Sequence, residues 1–271
     1  MILAMLLPHL FGDYIFQWDN LSLWKSRRLT GVLLHGLIVS VVTLLFAILI
    51  DPAWWPWAIL IGLTHTLIDA LELPIRRRMA NGHSGKGPLL LFIADQTIHL
   101  TIIALTLIWS GYLDAPNFAD GFIAATYDNK LLTVALGYAF LTMPAWILIR
   151  FVICGLMNGS APDFSMRLGG KYSSMLERGL ILTFILFGQY LLIPLATLPR
   201  LLLESTRAAQ AGGANGAGFH NGSVNNGSVH DGSVHDGSVQ HFIGRYDVLY
   251  VTEMLVGVAL AVAIGLALRQ L

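Results

Sequence analysis

Seven long apolar stretches organise this chain, and paired histidines and aspartates sit inside them. The stretches are roughly Met1–Trp18, Leu29–Ile50, Ala53–Leu73, Pro88–Gly111, Leu131–Leu156, Ser174–Leu203 and Tyr246–Leu268. About 20 residues at ~1.5 Å of rise each cross the ~30 Å hydrocarbon core of a bilayer. Only 12% of the residues are charged, against ~25% in an ordinary soluble domain, and 55% are hydrophobic. So few charges cannot cover a soluble protein of 271 residues. None of the stretches alternates apolar and polar residues as barrel strands do. The sequence therefore predicts an all-α fold, a polytopic transmembrane helix bundle of about seven spans. The first stretch lacks a positive leading region and an A-x-A-like site, and it contains His9 and Asp13. It is expected to stay as a span and not to be a cleaved signal peptide.

Sixteen Lys and Arg balance sixteen Asp and Glu, so no basic excess exists to neutralise phosphate, and nucleic-acid binding is excluded. Membrane lipids are the expected partners. Cys154 is the one cysteine, which rules out a disulfide framework and leaves it a small packing residue. With seven spans, twelve basic residues fall on one side: Lys25, Arg27, Arg28, Arg76, Arg77, Arg78, Lys86, Arg150, Arg167, Lys171, Arg178 and Arg269. Lys130, Arg200, Arg207 and Arg245 fall on the other. Cytoplasmic loops carry the positive excess. The expectation is an inner-membrane protein with its N-terminus outside and its C-terminus cytoplasmic.

Five regions follow. Residues 1–111 form a four-helix transmembrane unit, and 112–130 an outer loop or short interfacial helix. Residues 131–203 hold helices five and six, with kinks expected at Pro144 and Pro194. Residues 204–245 are low-complexity, and 246–271 form helix seven. From Asn221 the fourth region repeats a five-residue unit, NGSVN, NGSVH, DGSVH, DGSVQ. Asn-Gly and Asp-Gly favour turns, and such a polar, Gly-rich stretch cannot bury a core. It reads as a disordered outer loop, and its histidines as part of a linker able at most to bind metal weakly.

The chemistry concentrates in the first four spans, which contain His9, Asp13, His35, His65, Asp69, Asp95 and His99. Ionisable groups at a helix centre cost at least ~2.5–3.5 kcal/mol for Asp, Lys or Arg, so their presence is informative. His9/Asp13, His65/Asp69 and Asp95/His99 are each four residues apart, on one helix face. Gln17 extends the first pair by a further turn. The order reverses in the third pair, as does the direction of its helix. The three Asp therefore share one layer near the cytoplasmic end, beside His35, and His9, His65 and His99 share a layer one turn deeper. Three convergent imidazoles can hold Zn²⁺ or another divalent metal, with Asp13, Asp69 or Asp95 as a further ligand or base. A proton relay and a structural His–Asp network are the alternatives. Farther on, Glu177 and Arg178 open span six, and Glu253 in span seven needs a partner, for which Arg200 lies at a suitable depth. These read as structural ion pairs.

The segments PHLFGDYIFQWD, KSRR, LLHGLI, THTLIDALE and ADQTIHL, in that order, resemble a bacterial multi-pass membrane family known as domain of unknown function 3307. GGKYSSMLERGLIL and TEMLVG carry a weaker likeness into the second half. The resemblance implies that His9, Asp13, Gln17, His35, His65, Asp69, Asp95 and His99 are signature positions of the family. It implies no activity. From the residues, the leading expectation is a metal-dependent membrane hydrolase acting on a lipid or membrane-embedded substrate. His9, His65 and His99 would be its ligands and His35 auxiliary. A proton- or cation-coupled transporter and a non-catalytic scaffold are the rivals.

Overall fold

The structure, a computed structural model, describes residues 1–80, 86–158, 168–202 and 236–271. Every regular element among them is helical. The first unit comprises α1 (Ile2–Leu10), α2 (Asp19–Arg27), α3 (Leu29–Ile50), α4 (Trp55–Ala80) and α5 (Gly87–Trp109). Helix α1 continues as a π-turn over Phe11–Ile15. It is the inner helix: Leu3, Ala4, Met5, Leu7, Pro8 and His9 are all buried. Met5 and Ala4 pack with Ala47, Ala58, Ile61 and Ile103 of the surrounding helices. The outer faces are apolar instead of polar. Leu33, Leu37, Val41 and Leu45 on α3, and Ile59, Leu63, Leu67 and Leu71 on α4, recur every four residues and are exposed. Such stripes are compatible with lipid as the surrounding solvent, and the chain is membrane-embedded.

Helices α3 and α4 approach most closely of all. A Cβ on Gly36 would overlap Thr66, and one on Gly62 would overlap Ser40. Small residues facing each other in this reciprocal way let membrane helices come into backbone contact. Gly12 likewise faces Val39, where a Cβ would meet the Val39 side chain at 2.8 Å. Helix α2 lies across the start of α3, its backbone at Trp24 and Lys25 seated over Gly31.

Four helices among the described residues are long and apolar enough to cross a membrane: Leu29–Ile50, Pro52–Met79, Gly87–Trp109 and Tyr250–Arg269. Ile2–Ile15 is shorter and covers about 20 Å at ~1.5 Å per residue. Residues 112–130 contain an exposed helix, α6 (Phe118–Asp128), none of whose residues is buried. The expected fifth span is a bent pair, α7 (Lys130–Leu141) and α8 (Met143–Ile153), with the second helix running on to Leu156 in a π-turn. The bend is 45°. Pro144 in the first turn of α8 has no N–H to continue the ladder, so the break falls where expected.

The expected sixth span requires correction. Residues 174–203 are not one crossing but a helical hairpin of α9 (Leu168–Leu186) and α10 (Tyr190–Leu202). The chain turns at Gly188, whose φ of 71° suits a residue without a Cβ. Pro194 lies within α10 and causes no separate kink. Arg200 thereby returns to the level of Glu177 and Ser174. The last helix, α11 (Asp236–Arg269), then runs in the same direction as α9. Gly257 faces Arg178, Gly265 faces Ile185, and Arg269 reaches Gly188.

Two further corrections follow from that hairpin. Leu268 packs on Gly137 of α7, so the C-terminus points towards the end of the bundle that holds Met1, not the opposite end. Arg200 joins the basic end with Arg150, and Arg269 leaves it. The charge asymmetry thus survives without a seventh crossing. The expected loop 204–245 is also too long. Helix α11 begins at Asp236 and includes the last pentapeptide unit, because extending a formed helix is far easier than nucleating one. The rest of the repeat lies outside the described residues.

Candidate metal centre

Helices α1, α3, α4 and α5 bring all seven predicted His and Asp residues together, each buried. The closeness of α3 to α4 sets the centre. His35 precedes Gly36 and His65 precedes Thr66, so the tight pair of helices places His35 Nε2 3.2 Å from His65 Nε2. From α1, Asp13 Oδ1 lies 3.2 Å from both nitrogens. From α4, Asp69 Oδ2 lies 3.3 Å from His65 Nε2 and 3.6 Å from His35 Nε2. Asp13 sits within the π-turn, a feature often found at functional sites because it re-aims side chains out of the helical register.

This knot has more convergence than hydrogen bonding can use. His65 Nε2 has three polar neighbours within 3.3 Å but at most one proton to give. Ligands 2.0–2.1 Å from a tetrahedrally held ion lie about 3.3–3.4 Å from one another. The five separations above, 3.2–3.6 Å, bracket that value. His35, held in expectation as auxiliary, is therefore central to the tightest donor set.

The rings of His9, His65 and His99 also lie side by side, although among the described residues no set of three close donor atoms joins all of them. The His65 and His99 ring centroids are 4.2 Å apart, those of His9 and His99 5.9 Å, and those of His9 and His65 6.4 Å. The three line a small cavity otherwise walled by Met5, Val39, Thr43, Ile61, Ile102 and Ile103. Its volume of ≈ 10 Å³ is about the room one water requires. His9 Nε2 and His99 Nε2 are buried and without a hydrogen-bond partner. Each ring is backed at Nδ1 by its own helix. His9 Nδ1 is 3.6 Å from Asp13 Oδ2, and His99 Nδ1 donates to the Asp95 carbonyl at 2.8 Å. A carbonyl only accepts, so the lone pair of His99 is on Nε2. A carboxylate or carbonyl behind a histidine is the usual support of a metal-ligating imidazole.

Sequence reasoning passed over four polar residues here. Lys25 is buried, and its Nζ lies 2.7 Å from Asp69 Oδ2. Its position in a KSRR run marks it as a solvated flanking charge, and only the seating of α2 on Gly31 turns it inward. Arg76 pairs with Glu72 and lies 3.4 Å from Asp95 Oδ2. Gln96 donates to the same oxygen at 3.0 Å. The i, i+4 spacing of Glu72 and Arg76 was a legible signal for that pair. Gln17, by contrast, does not extend the His9–Asp13 stripe. The helix ends after the π-turn, and Gln17 lies in the link to α2.

The second polar cluster is separate and well partnered. Arg200 meets Glu177 Oε2 at 2.8 Å and Glu253 Oε1 at 3.7 Å, and it donates to the Tyr250 hydroxyl at 2.9 Å. Arg150 donates to Glu253 at 3.3 Å. Arg178 pairs with neither acid. It donates to the carbonyls of Leu141 and Thr142 at 2.7 and 3.0 Å, at the bend between α7 and α8.

Residues 1–118 match the family described as Protein of unknown function (DUF3307), as the N-terminal motifs imply. The matched segment contains every residue of the His/Asp centre, whereas the likenesses near Glu177 and Glu253 lie beyond it. No curated protein and no solved structure matches the chain.

Proposed function

We propose that the domain in residues 1–118 is the divalent-metal centre of a membrane-embedded hydrolase acting on a lipid or membrane-embedded substrate. The observation that carries this reading is the donor knot: His35 Nε2, His65 Nε2 and Asp13 Oδ1 lie 3.2 Å from one another, with Asp69 Oδ2 3.3 and 3.6 Å from the two nitrogens. Formal charge agrees. Counted at formal charges, with histidine taken as neutral, the buried carboxylates of Asp13, Asp69, Glu72 and Asp95 face two cations, Lys25 and Arg76. Two negative charges are left over, which one divalent ion would balance.

A bound Zn²⁺ would polarise the scissile group and make water more acidic. The chain's own residues do the rest. His35, His65, Asp13 and Asp69 hold and orient the ion. His9 keeps Nε2 free beside a water-sized cavity, backed at Nδ1 by Asp13, so it can accept a proton from water. In hydrolysis the water oxygen joins the acyl carbon or phosphorus as the bond to the leaving group breaks. The departing oxygen or nitrogen takes a proton. Entry is from the basic end, where Lys25 and Arg76 lie, which the positive-inside rule assigns to the cytoplasm.

One observation favours a metal-free alternative. The Lys25 ammonium already supplies a cation to Asp69, which suits a proton relay or a structural network. Metal analysis of the detergent-purified chain decides between them. The hydrolase reading expects stoichiometric metal in the wild type, lost in His65→Ala and in His35→Ala. A wild type that takes up no divalent ion on reconstitution favours the relay or network.

A further inference from the structure

The donor groups do not end with that knot. Asp69, Asp95 and His99 form another set, in which one ligand atom from each lies within 4.8 Å of the others. It shares Asp69 with the set His35, His65 and Asp69, which meets the same spacing. Asp69 Oδ2 faces the first set, whereas Asp69 Oδ1 is buried with no hydrogen-bond partner. His99 Nε2 is likewise buried without one, while Asp95 Oδ1 lies 3.3 Å from His99 Nδ1. All three residues are more than nine-tenths buried, at 2%, 6% and 3% exposure. Buried polar atoms left unpaired in a bilayer are costly, and a cation held by this set would satisfy them.

Resting on the metal reading above, we propose that Asp69 bridges two divalent-cation positions. Asp95 and His99 complete the second, which fills only together with a phosphate group. The charge argument supplies the condition. One ion neutralises the cluster, so a second would leave two buried positive charges unless an anion arrives with it. A phosphate ester has the oxygens to span ions about 3.5–4 Å apart, the spacing of two-metal phosphoryl-transfer sites. Arg76, 3.4 Å from Asp95 Oδ2, adds a guanidinium suited to phosphate at the same place. The substrate class is therefore a phosphoester, not a neutral carboxylic ester or peptide.

The test is Zn²⁺ stoichiometry of the full-length chain, measured by equilibrium dialysis and elemental analysis. Wild type, Asp95→Asn and His99→Ala are compared in three arms: Zn²⁺ alone, Zn²⁺ with inorganic phosphate, and Zn²⁺ in micelles containing phosphatidic acid. Wild type should bind one ion alone and two with either phosphate source, while both variants stay at one. The ion retained by the variants shows that they are folded. A gain with phosphatidic acid alone assigns the lipid headgroup, and a gain with inorganic phosphate alone assigns the free anion. A wild type that stays at one ion in every arm, or variants that reach two, overturns the bridge while leaving the single-ion centre intact. A wild type that binds none overturns the metal reading itself.

Discussion

The Lys25 ammonium lies 2.7 Å from Asp69 Oδ2, the same oxygen that stands 3.3 Å from His65 Nε2. On the proposed metal reading, a mobile ion would compete with this tethered ammonium for one carboxylate. Lys25 reaches it from an interfacial helix, along a stem long enough to withdraw.

Lys25→Met should show that competition directly. Without metal, the variant leaves Asp69 buried without its cation, and breaking a buried pair in this way costs about 3–5 kcal/mol. Thermal unfolding in chelator should fall accordingly. Saturating Zn²⁺ should raise the midpoint more in the variant than in wild type, because the ion replaces the missing charge. Equal shifts in both proteins would show that the ion does not use Asp69.

Gly36→Ala should pry apart α3 and α4. Its methyl overlaps Thr66, and overpacking of this kind costs about 1–3 kcal/mol. The cost should appear as reduced Zn²⁺ affinity as well as a lower melting point, since the same contact sets the His35–His65 distance. Adding Thr66→Ala should recover part of both losses. An affinity unchanged in Gly36→Ala would separate the helix contact from the donor knot.

Arg178→Met should destabilise the C-terminal unit and spare metal binding. Arg178 is 1% exposed and donates to two backbone carbonyls, of which that of Thr142 also accepts from the Trp146 N–H at 3.4 Å. A buried acceptor left unsatisfied costs about 1–3 kcal/mol. Differential scanning of the detergent-solubilised protein should show the loss, with Zn²⁺ uptake unaltered. Arg178→Lys should recover little, because one ammonium cannot repeat the planar fork that reaches both carbonyls.

Both termini should be accessible from one side of the membrane, and the repeat from the other. Leu202 and Tyr250 flank the repeat at the end of the bundle that holds Arg150 and Arg200, whereas Leu268 lies towards Met1. In a Cys154→Ser background, single cysteines at Asn226 and Leu271 should label from opposite sides. By the basic asymmetry, Asn226 should be cytoplasmic. Labelling of Asn226 from outside and Leu271 from the cytoplasm would require that the α9–α10 hairpin be a full crossing.

Periodicity and spacing were enough to reveal α3, α4 and α5 and the seven His and Asp residues that the fold brings together. Apolar runs the length of a bilayer specify α3, α4 and α5 to within a few residues. The i, i+4 pairs place His and Asp on one helix face whatever that helix packs against, since this is a property of 3.6 residues per turn. The reversed order of Asp95 and His99 gave their shared depth from helix direction alone.

Hydropathy summed along a line cannot distinguish a crossing from a hairpin. Between Arg178 and Arg200 the sequence is almost wholly apolar, and the positive-φ Gly188 that folds it back carries little weight in any window. The direction of α11 and the side of the C-terminus follow from that one turn. Side-chain partners were equally out of reach. Lys25 has the sequence setting of a solvated flank, and only the packing of α2 on Gly31 brings it to Asp69. Which nitrogen meets which oxygen is set by the contact of Gly36 with Thr66, between helices 30 residues apart. The sequence by itself determined which residues share a helix face and a depth, because those are local and periodic. The tertiary structure alone decided that His35, and not only His9, His65 and His99, stands at the centre, because convergence depends on how closely separate helices pack.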